Sequence, residues 1–146
     1  RRVEPQVGMA VEFIALSEEA EARLRAATVL VVEDEEPVRK VVREFLESMG
    51  YSVLEARDGG EAMQIAGGHP GPIHLLVTDV VMPGMGGPEL ARGLKPLRPD
   101  LKVLYMSGYP DNARGQHGAF ERGAAVLHKP FTLDELARKV RDVLES

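Results

Sequence analysis

Thr28-Val29-Leu30-Val31-Val32-Glu33-Asp34 is the stretch that decides the fold. Its first five residues form an unbroken apolar and β-branched run, the pattern of a strand buried on both faces of a parallel sheet. The two acids mark where it ends. The same pattern returns downstream: Ile73–Thr78 reads as a strand broken only by His74, and Tyr51–Ala56, Leu101–Met106 and Ala124–His128 read as three more. Amphipathic stretches lie between them. Pro37 suits a first helical position. Val38, Val41, Val42, Phe45, Leu46 and Met49 follow it at helical spacing, and Gly50 supplies a left-handed stop. A short helix is expected over Gly60–Ala66, then a turn through Gly67-Gly68-His69-Pro70-Gly71-Pro72. Pro88 opens a helix that Pro96 ends, 110–122 is a poor helix holding Gly115 and Gly118, and Thr132 caps a last helix through Leu144. Five strands alternating with five helices predict an α/β fold, a doubly wound parallel sheet with helices on both faces.

Residues 1–27 stand outside that alternation. Val11–Leu16 suits one strand, and Ser17 suits the cap of a helix with Glu18 and Glu19 in its first turn. The expected division is a strand-helix appendage, or the tail of an upstream domain, over 1–27 and one domain over 28–146. The chain begins with Arg1 rather than methionine, so it is expected to be a fragment of something longer.

The 146 residues carry 18 Lys plus Arg against 23 Asp plus Glu, a net charge of −5 spread over both parts. No basic face is evident, which argues against a direct nucleic-acid partner. The chain has no cysteine, which excludes disulfides, thiol catalysis and cysteine-ligated zinc and suits a reducing cytoplasm. No apolar run approaches the ~20 residues of a membrane span. The expected location is cytoplasmic.

In an open parallel sheet, ligands bind at the carboxyl ends of the strands. Glu33-Asp34 follows the first strand, Asp79 the third, Ser107 the fourth and Lys129 the fifth. Each has a plain reading by itself: an acidic helix cap, a turn former, a turn serine, a surface lysine. Four polar elements each ending a strand point instead to one site for a hard cation and a phosphoryl group. Clustered carboxylates repel by several kcal/mol, on the order expected at intermediate dielectric, unless something positive joins them. Mg²⁺ and Lys129 are the candidates. An Asp at a strand end is also a nucleophile toward phosphorus, with the cation, Lys129 and the Ser107 hydroxyl facing the transferring oxygens.

Val31-Val32-Glu33-Asp34-Glu35, Thr78-Asp79-Val80-Val81-Met82-Pro83-Gly84-Met85-Gly86-Gly87, Met106-Ser107-Gly108-Tyr109 and His128-Lys129-Pro130-Phe131 resemble the receiver domain of two-component response regulators. The resemblance covers 28–146 and implies a flavodoxin-like five-stranded sheet in the order 2-1-3-4-5. It implies that Asp79 accepts a phosphoryl group from a histidine kinase or phosphotransfer domain. It further implies Asp34 as direct Mg²⁺ ligand, Glu33 acting largely through water, and Val81 giving its backbone carbonyl to the metal. Ser107 would be the switch hydroxyl and Lys129 the partner of the phosphoryl oxygens, with a cis Lys129–Pro130 bond. On this reading the chain is a switch that regulates a partner or output domain, not an enzyme.

Two positions depart from the family pattern. Glu33 is one methylene longer than the commoner Asp, and Val126 stands where an aromatic switch residue is frequent. The relay is therefore expected through Ser107 and the segment after it, with Tyr109 taking part. Residues 8–24 bear a weaker resemblance to the closing strand and helix of a PilZ domain. Two other classes fit less well. A haloacid-dehalogenase-like phosphatase needs a second Asp two residues after the nucleophile, where this chain has Val81. A degenerate interaction module would lack the acids or the lysine, and all are present.

Overall fold

The computed structural model describes residues 27–108 and 124–146. Five strands form one parallel sheet: β1 (Thr28–Val32), β2 (Ser52–Ala56), β3 (Leu75–Asp79), β4 (Lys102–Ser107) and β5 (Ala125–His128). Their order is β2-β1-β3-β4-β5, as the resemblance implies. Four helices lie among the described residues: α1 (Glu36–Ser48), α2 (Gly59–Gly68), α3 (Gly87–Leu94) and α4 (Leu133–Glu145). The expected helix over 110–122, Tyr109, and residues 1–26 with their PilZ-like stretch lie outside the described residues.

Strand alternation divides the core into two layers. Val29, Val31, Leu75, Val77, Leu104, Met106 and Leu127 pack with Val42 and Leu46 of α1 and with Leu136 and Val140 of α4. Leu30, Val32 and Leu76 face the other way, onto Ala62 and Ala66 of α2 and Leu90 and Leu94 of α3. Each strand side chain at a successive position serves the opposite face, so Val29–Val32 of β1 and Leu75–Val77 of β3 are apolar at consecutive positions. Ala27, which the sequence put with the appendage, is buried in the first layer, and its carbonyl accepts from the Ser52 N–H at 3.0 Å.

Several boundaries differ from the sequence reading for identifiable reasons. The Tyr51 N–H donates to Leu46 O, so this residue closes the α1 exit instead of opening β2. The ladder runs one residue further than expected in β3 and β4: Asp79 is in register with Met106, and Ser107 with His128. Gly67 and Gly68, expected as turn, form the last turn of α2. Arg98 stabilises that end by donating to Ala66 O, His69 O and Gly71 O at 2.6–2.9 Å. The start of α2 extends to Gly59, where the Asp58 carboxylate caps the Glu61 N–H. Gly50 adopts φ 101° after α1, the left-handed stop its identity allowed.

Candidate functional site

The carboxyl ends of β1, β3, β4 and β5 meet on one edge and bring the expected residues together. Glu33 follows β1 and is fully buried, Asp79 ends β3 and is 5% exposed, and Ser107 ends β4 and is 1% exposed. Asp34 is exposed to solvent beside them. Lys129 reaches in from the end of β5. Its Nζ lies 2.6 Å from Asp79 Oδ1 and 3.1 Å from Glu33 Oε1. The lysine is held there because its N–H donates to Ser107 O at 2.8 Å, continuing the β4–β5 ladder past the strand. The Lys129–Pro130 peptide is cis, as the resemblance implies. Val81 stands in the loop after β3 and is 57% exposed. Val126 is half-buried on β5 in register with Tyr105.

The loop after β3 is shaped by glycines at two points. Gly84 has φ +77°, a left-handed conformation that side chains resist. Gly87 opens α3 against the end of β3, where an added Cβ would come within 2.2 Å of Asp79 O. Its N–H donates to Val80 O at 2.8 Å. The helix start therefore presses on the backbone of Asp79 itself. The sequence opens this helix at Pro88, one residue later, and the only signal for the contact is the place of Gly87 before that proline. Thr78 was also missed: it is fully buried, and its hydroxyl donates to Asp79 O at 3.0 Å. It gives no sequence signal beyond being polar in an apolar strand.

The electrostatics match a site short of positive charge. Burial, with a hydrogen bond and charge repulsion from Glu33, pushes the Asp79 carboxyl from 3.8 up to about 8, although Lys129 opposes the shift. Burial draws Lys129 down, but Asp79 and Glu33 outweigh it and leave the ammonium held above its usual 10.5. One ammonium thus faces two buried carboxyl groups. One carboxylate oxygen from each of Glu33, Asp34 and Asp79 lies within 4.8 Å of the others. Three hard oxygen donors, one of them open to solvent, suit a divalent ion that keeps several waters. The extra methylene of Glu33 does not take it out of the cluster. Its Oε2 accepts from the Glu35 N–H at 3.2 Å while Oε1 meets the lysine. No helix among the described residues is long and apolar enough to cross a membrane.

Comparison with known proteins gives concordant matches. The family model for the response regulator receiver domain matches residues 29–141. The sensor kinase CckA of Brucella abortus (strain 2308) is 42% identical over 120 residues, which cover 82% of this chain and only 13% of that kinase. The response regulator receiver protein CpdR of the same organism is 35% identical over 116 residues, covering 80% of this chain and 95% of that protein. Among solved structures, the receiver domain of the hybrid histidine kinase CckA is similar at a TM-score of 0.68 and 36% identity. It covers 81% of this chain and 99% of its own.

Proposed function

The chain belongs to the response regulator receiver domain family, the phosphoaccepting modules of two-component signalling, and we propose that Asp79 is its phosphoacceptor. What supports the reading is the meeting of Asp79 and Glu33 on the Lys129 ammonium, at 2.6 and 3.1 Å, from the ends of three different strands. An oxygen of ionised Asp79 attacks the phosphorus of a phosphohistidine. The P–N bond breaks, its electron pair stays on the imidazole nitrogen, and an aspartyl phosphate forms. Lys129 stays ionised and neutralises charge on the transferring oxygens, and the Ser107 hydroxyl is within the same strand-end cluster to meet one of them. Glu33, Asp34, Asp79 and the Val81 carbonyl would hold Mg²⁺. Bound there, the ion supplies positive charge that favours ionised Asp79 and shields the incoming phosphoryl group.

The donor is a histidine kinase or phosphotransfer domain, and the phosphorylated form regulates a partner or output domain. The chain's own chemistry ends at the acyl phosphate, so it is a switch and not an enzyme. A cysteine-free chain of this kind suits the cytoplasm. Incubation with Mg²⁺ and acetyl phosphate tests the assignment. Intact mass is expected to rise by one phosphate, with no rise in Asp79→Asn. Full modification of that variant would overturn Asp79 as the acceptor.

A further inference from the structure

Glu33 is buried with every polar group engaged. Its N–H donates to Ala56 O at 3.1 Å, its carboxylate takes Lys129 and the Glu35 N–H, and its carbonyl accepts from Arg39 Nη1 at 2.8 Å. Arg39 has no role in the phosphotransfer reading. It lies near the start of α1 with its side chain 15% exposed, and its Nε donates to Glu55 Oε1 on β2 at 3.0 Å. One planar guanidinium thus spans the sheet and the β1–α1 turn, which a flexible point charge does poorly. The helix does not fasten that turn in the usual way, because Glu35 at its N-cap makes no side-chain cap. Asp34 has no hydrogen-bond or ion-pair partner of its own among the described residues, so its position follows from the backbone. The peptide whose carbonyl Arg39 holds is the planar unit joining Glu33 to Asp34.

We propose that Arg39, braced by Glu55, is a positioning residue that fixes the Glu33–Asp34 turn for a divalent cation. The inference rests on the metal-site reading above. Groups that orient ligands from behind commonly tune metal affinity by tenfold or more. Arg43 provides the control, since its Nε lies 2.9 Å from the other Glu55 oxygen. It belongs to the same ion network but, among the described residues, has no hydrogen bond or ion pair with Glu33.

Mg²⁺ titration of the whole chain, followed by the NMR shifts of the Asp34 and Glu35 amides, is the test. Arg39→Gln is expected to weaken Mg²⁺ binding about tenfold, and Glu55→Gln to weaken it in the same direction. Arg43→Gln should bind within about twofold of the parent, because outer-shell tuning acts through contact with the ligand. Should Arg39→Gln fail to fold, Glu55→Gln carries the comparison. Parent-like affinity in both Arg39→Gln and Glu55→Gln, or an equal loss in Arg43→Gln, overturns the positioning role alone. A parent protein that binds no Mg²⁺ overturns the metal-site reading and this inference with it.

Discussion

Asp79 is the residue on which burial, charge and backbone contact converge. In the metal-free fold it holds its proton up to about pH 8, against 3.8 when unperturbed. Between those values the folded chain binds more protons than the unfolded one, so stability from this group is complete below about pH 4 and is lost as pH rises through 8. The melting temperature in a chelator is expected to fall over that window. The slope is about 1.4 kcal/mol per pH unit at its steepest. Asp79→Asn should flatten it, and an unchanged slope in that variant would assign the pH dependence to other groups. The backbone of Asp79 is equally constrained. Gly87→Ala would drive a methyl into Asp79 O, where the partner is main chain and does not yield. Overpacking of this kind typically costs about 1–3 kcal/mol. Denaturant melts should show that loss together with slower phosphorylation, because the peptide of the proposed phosphoacceptor must shift.

At the level of elements, the two helices on one face are fastened differently. α4 carries a complete capping box: the Thr132 hydroxyl accepts from the Glu135 N–H at 3.0 Å, and the Glu135 carboxylate takes the Thr132 N–H at 2.9 Å. Thr132→Ala should destabilise the fold by about 1 kcal/mol while leaving Mg²⁺ affinity unchanged. Urea unfolding with and without Mg²⁺ separates the two quantities. α1 lacks such a cap and starts immediately beside two site acids. Its first turn leaves the Glu35 N–H to the Glu33 carboxylate and its second sends Arg39 back to Glu33 O. Stability and site geometry are therefore separable at α4 and joined at α1.

For the molecule as a whole, a sheet apolar on both faces supports an edge with more negative than positive charge. A bound cation relieves that imbalance only in the folded state, where the acids are adjacent, so binding should raise stability by mass action. The melting temperature is expected to climb with millimolar Mg²⁺. In Asp34→Ala the climb should disappear, while the metal-free variant melts at or above the metal-free parent because one repelling carboxylate is gone. A full Mg²⁺ response in Asp34→Ala would place the ion elsewhere.

Much of this was legible in the chain itself. Runs such as Thr28–Val32 and Leu75–Val77 need apolar residues at every position only if both faces are covered, so they specified a parallel, doubly wound sheet. The acids, serine and lysine at strand ends specified the site, since that topology leaves one edge for them to meet. Boundaries were less legible, because Asp79 and Ser107 join the ladder through their neighbours' registers and Gly67-Gly68 stays helical beside Arg98, which holds the Ala66 carbonyl from 32 positions away. Arg39 and Gly87 gave no distinctive signal. Their importance lies in a carbonyl that the guanidinium reaches and a backbone that the glycine lets approach, and such distances exist only once helix and sheet are packed together.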